Sequence, residues 1–249
     1  KLGAEANGQF LAAIALNYFV INITATILVN VRLLKSKQYE QQKITGDFNI
    51  FLVIFAVLNT FIIIGGSIFY AGGTVSLQDL FLSAIVVLLF TYHDYIAVQY
   101  RVELRFRNIL INNLLICAGY LLGLAALYYV VPCWQIVFIV PYVMTAIYDL
   151  RHTNYIKEPL RKTPLFNETA KQYFILLGSS LLTSVVTYGD RLILYPLMDG
   201  TSVSVFTSAQ LVGKMLQMIA TPVASFLLAH LAKRKADSLA VKWIYIPVL

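Results

Sequence analysis

Charged side chains inside long apolar runs are the residues of this sequence that could do chemistry. The stretch TYGDRLILYP, residues 187–196, places Asp190 next to Arg191 and two residues after Tyr188. An ionised side chain at the centre of a bilayer costs roughly 2.5–3.5 kcal/mol to insert, so such residues usually face protein or water. The three side chains are therefore candidates for a binding site.

Asp190 and Arg191 are poor partners for each other, because neighbouring residues of a helix point about 100° apart. Lys214 lies in the following apolar run, and adjacent antiparallel helices would place it at a depth about 6 Å from that of Asp190. We expect Asp190 to pair with Lys214 or another cation, leaving Arg191 to bind an anionic group such as a pyrophosphate. The alternative is a static tie between helices, with Arg191 extended towards the membrane surface.

Two further polar features lie in apolar runs. His93 and Asp94 are adjacent and close to Arg101 in sequence, which favours an interfacial ion pair; coupling of an ion to transport is the alternative. Asn22 begins a set of polar residues four positions apart, Asn22, Thr26 and Asn30, which share one helix face. That face either lines a cavity or forms hydrogen bonds between helices.

Motifs of enzymes and of metal or cofactor sites do not occur. The sequence contains no HExxH, GxSxG, DxD, P-loop or CxxC motif. A hydrolase or glycosyltransferase would need paired carboxylates, or a nucleophile with its base, at one depth, and only His93 with Asp94 comes near this. We predict neither an enzyme nor a bound metal or cofactor.

The elements that carry these residues are membrane helices. Hydrophobic residues make up 59% of the 249-residue chain and charged residues 12%, against about 25% in soluble domains. The apolar runs are continuous and about 20 residues long, which is typical of transmembrane helices and not of barrel strands. We predict an all-α polytopic bundle with seven complete spans and the start of an eighth: residues 10–31, 48–69, 80–98, 109–131, 133–150, 173–197 and 203–231, then 241 onward.

The basic residues predict the orientation. Four alternate loops carry 15 of the 19 Lys and Arg residues, and the loops between them carry none. By the positive-inside rule, the basic loops are cytoplasmic and the N-terminal end of this chain lies outside. The net charge of +7 therefore needs no nucleic-acid partner.

The longest loop predicts two bundles. Residues 1–150 form an N-terminal bundle, 151–171 a cytoplasmic connector, and 172–249 the start of a second bundle. A shift of 196 residues aligns 8–37 with 204–233, matching Phe10 to Phe206 and Lys37 to Lys233. The two spans run in the same direction and are six spans apart, which indicates a parallel repeat.

Two stretches resemble a known family. LGAEANGQFLAAIAL, from residue 2, is similar to the loop and second helix of polysaccharide flippases of the multidrug/oligosaccharidyl-lipid/polysaccharide exporter superfamily. DRLILYPLMDGTSVSVFTSAQ, from residue 190, resembles that family's seventh helix and the start of its eighth. The resemblance covers the chain as helices two to eight of a longer protein.

The resemblance implies a transporter that flips lipid-linked oligosaccharide or polysaccharide precursors to the outer leaflet by alternating access. It implies a bacterial inner membrane, a lipid-linked sugar substrate, and contacts with membrane lipids, a polysaccharide polymerase and glycosyltransferases. Arg191, Lys214, Asp190, Asn22 and Tyr188 would then line the substrate cavity.

Two other functions compete with this one. A drug or cation antiporter of the same superfamily would favour an acidic cavity, whereas the deep charges here are Arg191, Lys214 and one aspartate. A seven-helix retinal receptor or pump would need a carboxylate at the depth of Lys214 and aromatic walls beside it. Neither Trp134 nor Trp243, the only tryptophans, is placed for that role.

Overall fold

The computed structural model describes residues 3–70, 75–130, 133–211, 213 and 215. Lys214 and most of the predicted span 203–231 lie outside these residues, as does the start of the predicted eighth span. The described residues form helices and contain no strand. This confirms the all-helical prediction for that part of the chain.

Seven helices have defined bounds. They are α1 (Ala4–Ile23), α2 (Ala25–Gln42), α3 (Asp47–Tyr70), α4 (Leu77–Val102), α5 (Phe106–Tyr129), α6 (Ile136–His152) and α7 (Phe166–Leu197). A short 3₁₀ helix, Tyr155–Lys157, lies in the connector. A further helix, α8, begins at residue 200 and is described through residue 211.

Four helical segments among the described residues are long and apolar enough to cross a membrane. They are Asn7–Gln42, Asp47–Tyr70, Leu77–Val102 and Phe106–Tyr129. The helix α6 has 17 residues, somewhat fewer than the 20 or so that a bilayer needs, and α7 includes charged residues at several positions. The helices are consistent with a membrane protein, while the full set of seven spans stays a prediction.

The predicted first span is longer than expected and interrupted. Helical structure runs from Ala4 to Gln42, but Thr24 leaves the helical region, with φ −120° and ψ −83°, and separates α1 from α2. The sequence around Thr24 contains neither glycine nor proline, the usual residues at sharp bends. Thr24 makes polar contacts at the interruption, with Val20 in α1 and with Asn59 in α3.

The ends of the helices alternate between two sides of the bundle. One side, which we name the basic end, carries the α2–α3 and α4–α5 connections and the α6–α7 connector. The opposite end carries the α3–α4, α5–α6 and α7–α8 connections. The core between them is apolar and includes buried residues of α2, α3 and α4 such as Ile27, Leu28, Phe55 and Ile96.

Glycine allows two helix pairs to approach closely. A Cβ at Gly119 of α5 would lie 2.3 Å from the Cα of Pro141 in α6, and one at Gly123 would lie 2.8 Å from the Cα of Val137. At the opposite end, a Cβ at Gly8 of α1 would lie 1.6 Å from the carbonyl oxygen of Gly200. Small residues allow such backbone contact between membrane helices.

Candidate functional site

A cluster of polar side chains surrounds the break at Thr24. We name it the central polar cluster; its members are Asn22, Thr24, Thr26, Asn59, Thr91, Asp94 and Tyr188. They come from five helices, α1, α2, α3, α4 and α7, and from the junction between α1 and α2. The cluster lies near the middle of α3 and α4, away from both ends of the bundle.

Thr24 is held by Asn59 of α3. The Asn59 amide nitrogen donates to the hydroxyl oxygens of both Thr24 and Thr91, at 3.0 Å each. The Thr24 hydroxyl in turn donates to the carbonyl oxygen of Val20, at 2.7 Å. All of these side chains are buried, so the break occurs where polar groups of three segments meet; the Asn59 Oδ1 atom has no hydrogen-bond partner among the described residues.

Asn22 and Thr26 contact two other helices. The Asn22 amide nitrogen donates to the hydroxyl oxygen of Tyr188 in α7, at 3.2 Å. The Thr26 hydroxyl donates to Asp94 in α4, also at 3.2 Å. Two residues of the predicted polar face, Asn22 and Thr26, thus make contacts between helices, whereas Asn30 is exposed. These contacts bring Tyr188 and Asp94, two other predicted site residues, to the first span.

Asp190 and Arg191 share a partner instead of pairing with each other. The Gln210 amide nitrogen donates to Asp190 at 2.6 Å, and Arg191 Nη2 donates to the Gln210 oxygen at 3.3 Å. Arg191 is 7% exposed, and its Nε has no hydrogen-bond partner among the described residues. Lys214, the predicted partner of Asp190, lies outside the described residues.

His93 and Asp94 face different partners. His93 Nδ1 lies 3.8 Å from a carboxylate oxygen of Asp149, whereas Asp94 accepts from Thr26. Asp149 is fully buried and also accepts hydrogen bonds from Tyr100, at 2.8 Å, and Asn112, at 3.1 Å. Sequence reasoning missed this group because Asp149 stands at the end of a predicted span, where a carboxylate is usually solvated.

The connector is fastened to the basic end. Arg32 of α2 forms an ion pair with Glu158 and lies 3.5 Å from the centre of the Tyr155 ring. Lys35 pairs with Glu168 at 2.7 Å, and this hydrogen bond and charge hold the pKa of the Glu168 carboxyl below its usual range. These lysine and arginine residues, predicted only to set topology, therefore also position the connector.

A cavity lies at the opposite end, between α1, α3, α4 and the segment that leads into α6. Its volume is about 280 Å³, and its lining includes Asn17, Asp79 and Gln135 with the aromatic rings of Phe10 and Trp134. We name it the Asp79 cavity. None of the described residues that line it is Lys, Arg or His.

No group of three or more His, Cys, Asp or Glu residues suited to a metal ion occurs in the part of the chain that the structure describes. Cys117 and Cys133 are free thiols.

Comparison with protein-family models, with curated proteins and with solved structures gave no match.

Proposed function

We propose that this chain is part of a bacterial inner-membrane transporter that flips lipid-linked oligosaccharide or polysaccharide precursors from the cytoplasmic to the outer leaflet by alternating access. The transporter would contain the seven predicted spans and an eighth, arranged as two bundles related by a parallel repeat. The basic end would be cytoplasmic. The substrate class comes from the resemblance of residues 2–16 and 190–210 to polysaccharide flippases.

The break at Thr24 is the observation that carries the transport proposal. Transporters often use interrupted membrane helices, whose free backbone groups lie beside substrate or ions and whose halves can move separately. Here the break lies in a 36-residue segment, Asn7–Gln42, that is apolar enough to cross a membrane. Asn59 and Thr91 hold it, so exchange of a few hydrogen bonds would change the angle between α1 and α2.

Arg191 is the proposed contact for the anionic headgroup of the substrate. It is buried, and its Nε is free of partners among the described residues, so one N–H of its guanidinium group remains to donate to a phosphate oxygen. Gln210 holds the rest of the side chain in place. Lys214, Asp190, Asn22 and Tyr188 would complete the cavity wall, and a polymerase and glycosyltransferases would act on the same substrate.

Gene deletion in the native bacterium tests the proposal. We expect loss of the surface polysaccharide and accumulation of its lipid-linked precursor. Wild-type protein should restore the polysaccharide, Arg191→Lys should restore part of it, and Arg191→Ala should restore little, at equal protein levels. Normal surface polysaccharide and precursor levels after deletion would exclude the flippase function.

A drug or cation antiporter is the second candidate, and the Asp79 cavity favours it. Asp79 is the only charged residue among the described lining residues, so the cavity suits a cation and not a phosphate. Under this alternative, deletion would leave the polysaccharide unchanged and would increase sensitivity to toxic organic cations. The same strains therefore separate the two functions.

A further inference from the structure

A histidine and a fully buried carboxylate meet between α4 and α6. His93 Nδ1 lies 3.8 Å from Asp149 Oδ2, and the two side chains are 12% and 0% exposed. Nδ1 has no hydrogen-bond partner among the described residues. The gap is about 1 Å longer than a charge-assisted N–H···O hydrogen bond, so a small movement of either side chain would close it.

The two oxygens of Asp149 have different surroundings. Oδ1 accepts hydrogen bonds from the Tyr100 hydroxyl at 2.8 Å and from the Asn112 amide at 3.1 Å. Oδ2 has only a longer contact with the same amide, at 3.5 Å. Because a carboxylate oxygen has about two acceptor positions, Oδ2 keeps the capacity to accept a hydrogen bond from His93.

His93 is the one basic side chain within ion-pair distance of Asp149 in the part of the chain that the structure describes. The ion pairs of Arg32, Lys35 and Arg105 involve other carboxylates. A buried carboxylate without a cationic partner is costly, so the neutral state of His93 leaves this charge uncompensated. One added proton would convert the two groups into an imidazolium–carboxylate pair with no net charge.

The other titratable side chains around the pair do not supply that charge. On α4 they are Tyr92, Asp94 and Tyr100, with Arg101 acting on Asp94; on α6 they are Tyr142 and Tyr148; Tyr120 of α5 and Tyr18 of α1 interact with Tyr142. Tyrosine side chains are neutral at the pH of a cell. Asp94 accepts a hydrogen bond from Thr26 of α2, and it points about 100° away from its neighbour His93 on the helix.

We propose that His93 and Asp149 form a proton-binding site, in which protonated His93 donates its Nδ1 hydrogen to Asp149 Oδ2. The ring is partly exposed and Nδ1 faces Asp149, so a proton enters at the other ring nitrogen, Nε2. Asp149 lies three residues before the end of α6, which is at the basic end. Two side-chain ligands are too few for a metal ion, which usually takes four or more.

The position of the pair connects proton binding to movement of helices. His93 contacts α6, whereas the adjacent Asp94 contacts α2 just beyond the break at Thr24. Closing the gap between His93 and Asp149 would therefore move α4 against α6 beside its contact with α2. Use of this proton to drive transport rests on the proposed function, but the binding of the proton does not.

Nitrogen-15 NMR of the histidine rings tests the proposal, because ring nitrogen shifts report protonation. The full-length protein, labelled with nitrogen-15 histidine, would be titrated between pH 5 and pH 9 in detergent micelles, and His93→Gln would identify the His93 signals. We expect Asp149→Asn to lower the proton affinity of His93 at least tenfold, since a nearby opposite charge favours the charged form. Asp149→Asn keeps an oxygen for the hydrogen bonds from Tyr100 and Asn112, so the bundle should remain folded.

Asp94→Asn is the matched control, because it removes the adjacent carboxylate that faces α2. It should change the proton affinity of His93 less than threefold. An effect as large as that of Asp149→Asn would overturn the assignment of Asp149. A His93 ring that stays neutral down to pH 5, or one that titrates identically in wild type and Asp149→Asn, would overturn the site.

Surface polysaccharide separates this inference from the flippase proposal. In the deletion strain, His93→Gln and Asp149→Asn should restore much less polysaccharide than wild type does at equal protein levels. Full restoration by His93→Gln would overturn the coupling of the site to transport. If deletion itself leaves the polysaccharide unchanged, the flippase proposal fails, and the NMR titration still confirms or overturns the proton site.

Discussion

The two ends of the bundle are held together by different forces. At the basic end, the connector is attached by charged and hydrogen-bonding side chains, including Arg32 with Glu158 and Lys35 with Glu168. At the opposite end, backbones meet through Gly8 and Gly200, and the cavity beside them has one carboxylate and no cation among its described lining residues. The basic end thus combines ion pairs with a close backbone contact at Gly46, whereas the contact of α1 with α8 combines the two glycines with one hydrogen bond, from Asn7 to Ser204, and contains no ion pair among the described residues.

The difference is compatible with the proposed alternating access, in which the protein would open at one end at a time. Ion pairs and hydrogen bonds can exchange with water or with phosphate groups, so the contacts at the basic end can separate without leaving polar groups unpaired. The glycine contact has no such substitute, since separated backbones would leave a gap to be filled by lipid or ligand.

Arg32→Ala should cause the largest loss of stability. It removes the partner of Glu158 from a pair whose side chains are only 8% and 12% exposed, and breaking such a buried pair costs about 3–5 kcal/mol. Arg105→Ala is the control, because Arg105 and Glu103 form a pair that is 47% and 31% exposed, for which we expect about 0–1 kcal/mol. Denaturant unfolding in detergent micelles measures both; equal losses would contradict the role of Arg32.

Gly8→Ala should destabilise the opposite end by about 1–3 kcal/mol, the usual cost of overpacking. The added Cβ would lie 1.6 Å from the backbone oxygen of Gly200, so α1 and α8 must separate. Gly178→Ala in α7 is the control, because nothing lies within 4 Å of its added Cβ. Unfolding should show a loss for Gly8→Ala and none for Gly178→Ala, and the reverse order would refute the close contact.

Asn59→Leu should have a smaller effect, about 1 kcal/mol, since it removes two hydrogen bonds between helices and each contributes about 0.6 kcal/mol within a membrane. Thr60→Val is the control, because the Thr60 hydroxyl donates only to Ala56 in its own helix, at 2.8 Å. If transport uses the break at Thr24, Asn59→Leu should also reduce polysaccharide export. If export by Asn59→Leu equals that of wild type, transport does not use the break at Thr24.

The Lys35–Glu168 pair should give the smallest effect, and one that depends on pH. Because the folded pKa of Glu168 is lowered, its contribution is present above the unfolded pKa and is lost as the pH falls through the folded value. Melting curves between pH 6 and pH 3 should therefore show a slightly greater fall for wild type than for Glu168→Gln. Identical pH dependence in the two proteins would show that the pair contributes nothing to stability.

The sequence predicted the helices well because long apolar runs have few alternatives in a membrane. It predicted that Asp190 and Arg191 would not pair, since adjacency on a helix is a local property. It did not identify Gln210 as their shared partner, because Gln210 lies nineteen positions beyond Arg191 and belongs to the next helix. Nothing in the local pattern distinguishes Gln210 from a neutral surface residue.

The contacts of Asn59 also could not be predicted from the sequence. Asn59 is a single amide in an apolar run, and one polar residue within a predicted span does not by itself indicate a contact. The structure gives it two hydrogen bonds, to Thr24 and Thr91, at the point where the first predicted span is interrupted. The break was not predicted. It combines a local contact, the Thr24 hydroxyl donating to Val20 within α1, with a contact from α3 that the local pattern does not show.

Composition and charge by themselves determined that this protein is helical, with segments long and apolar enough to cross a membrane and with its Lys and Arg residues clustered between them, since these properties depend on residue type and order. Only the tertiary structure decided which polar groups meet. It paired Asn22 with Tyr188 and brought His93 to Asp149. Hydrogen bonds and cavities depend on distances between separate helices, and those distances are set by packing.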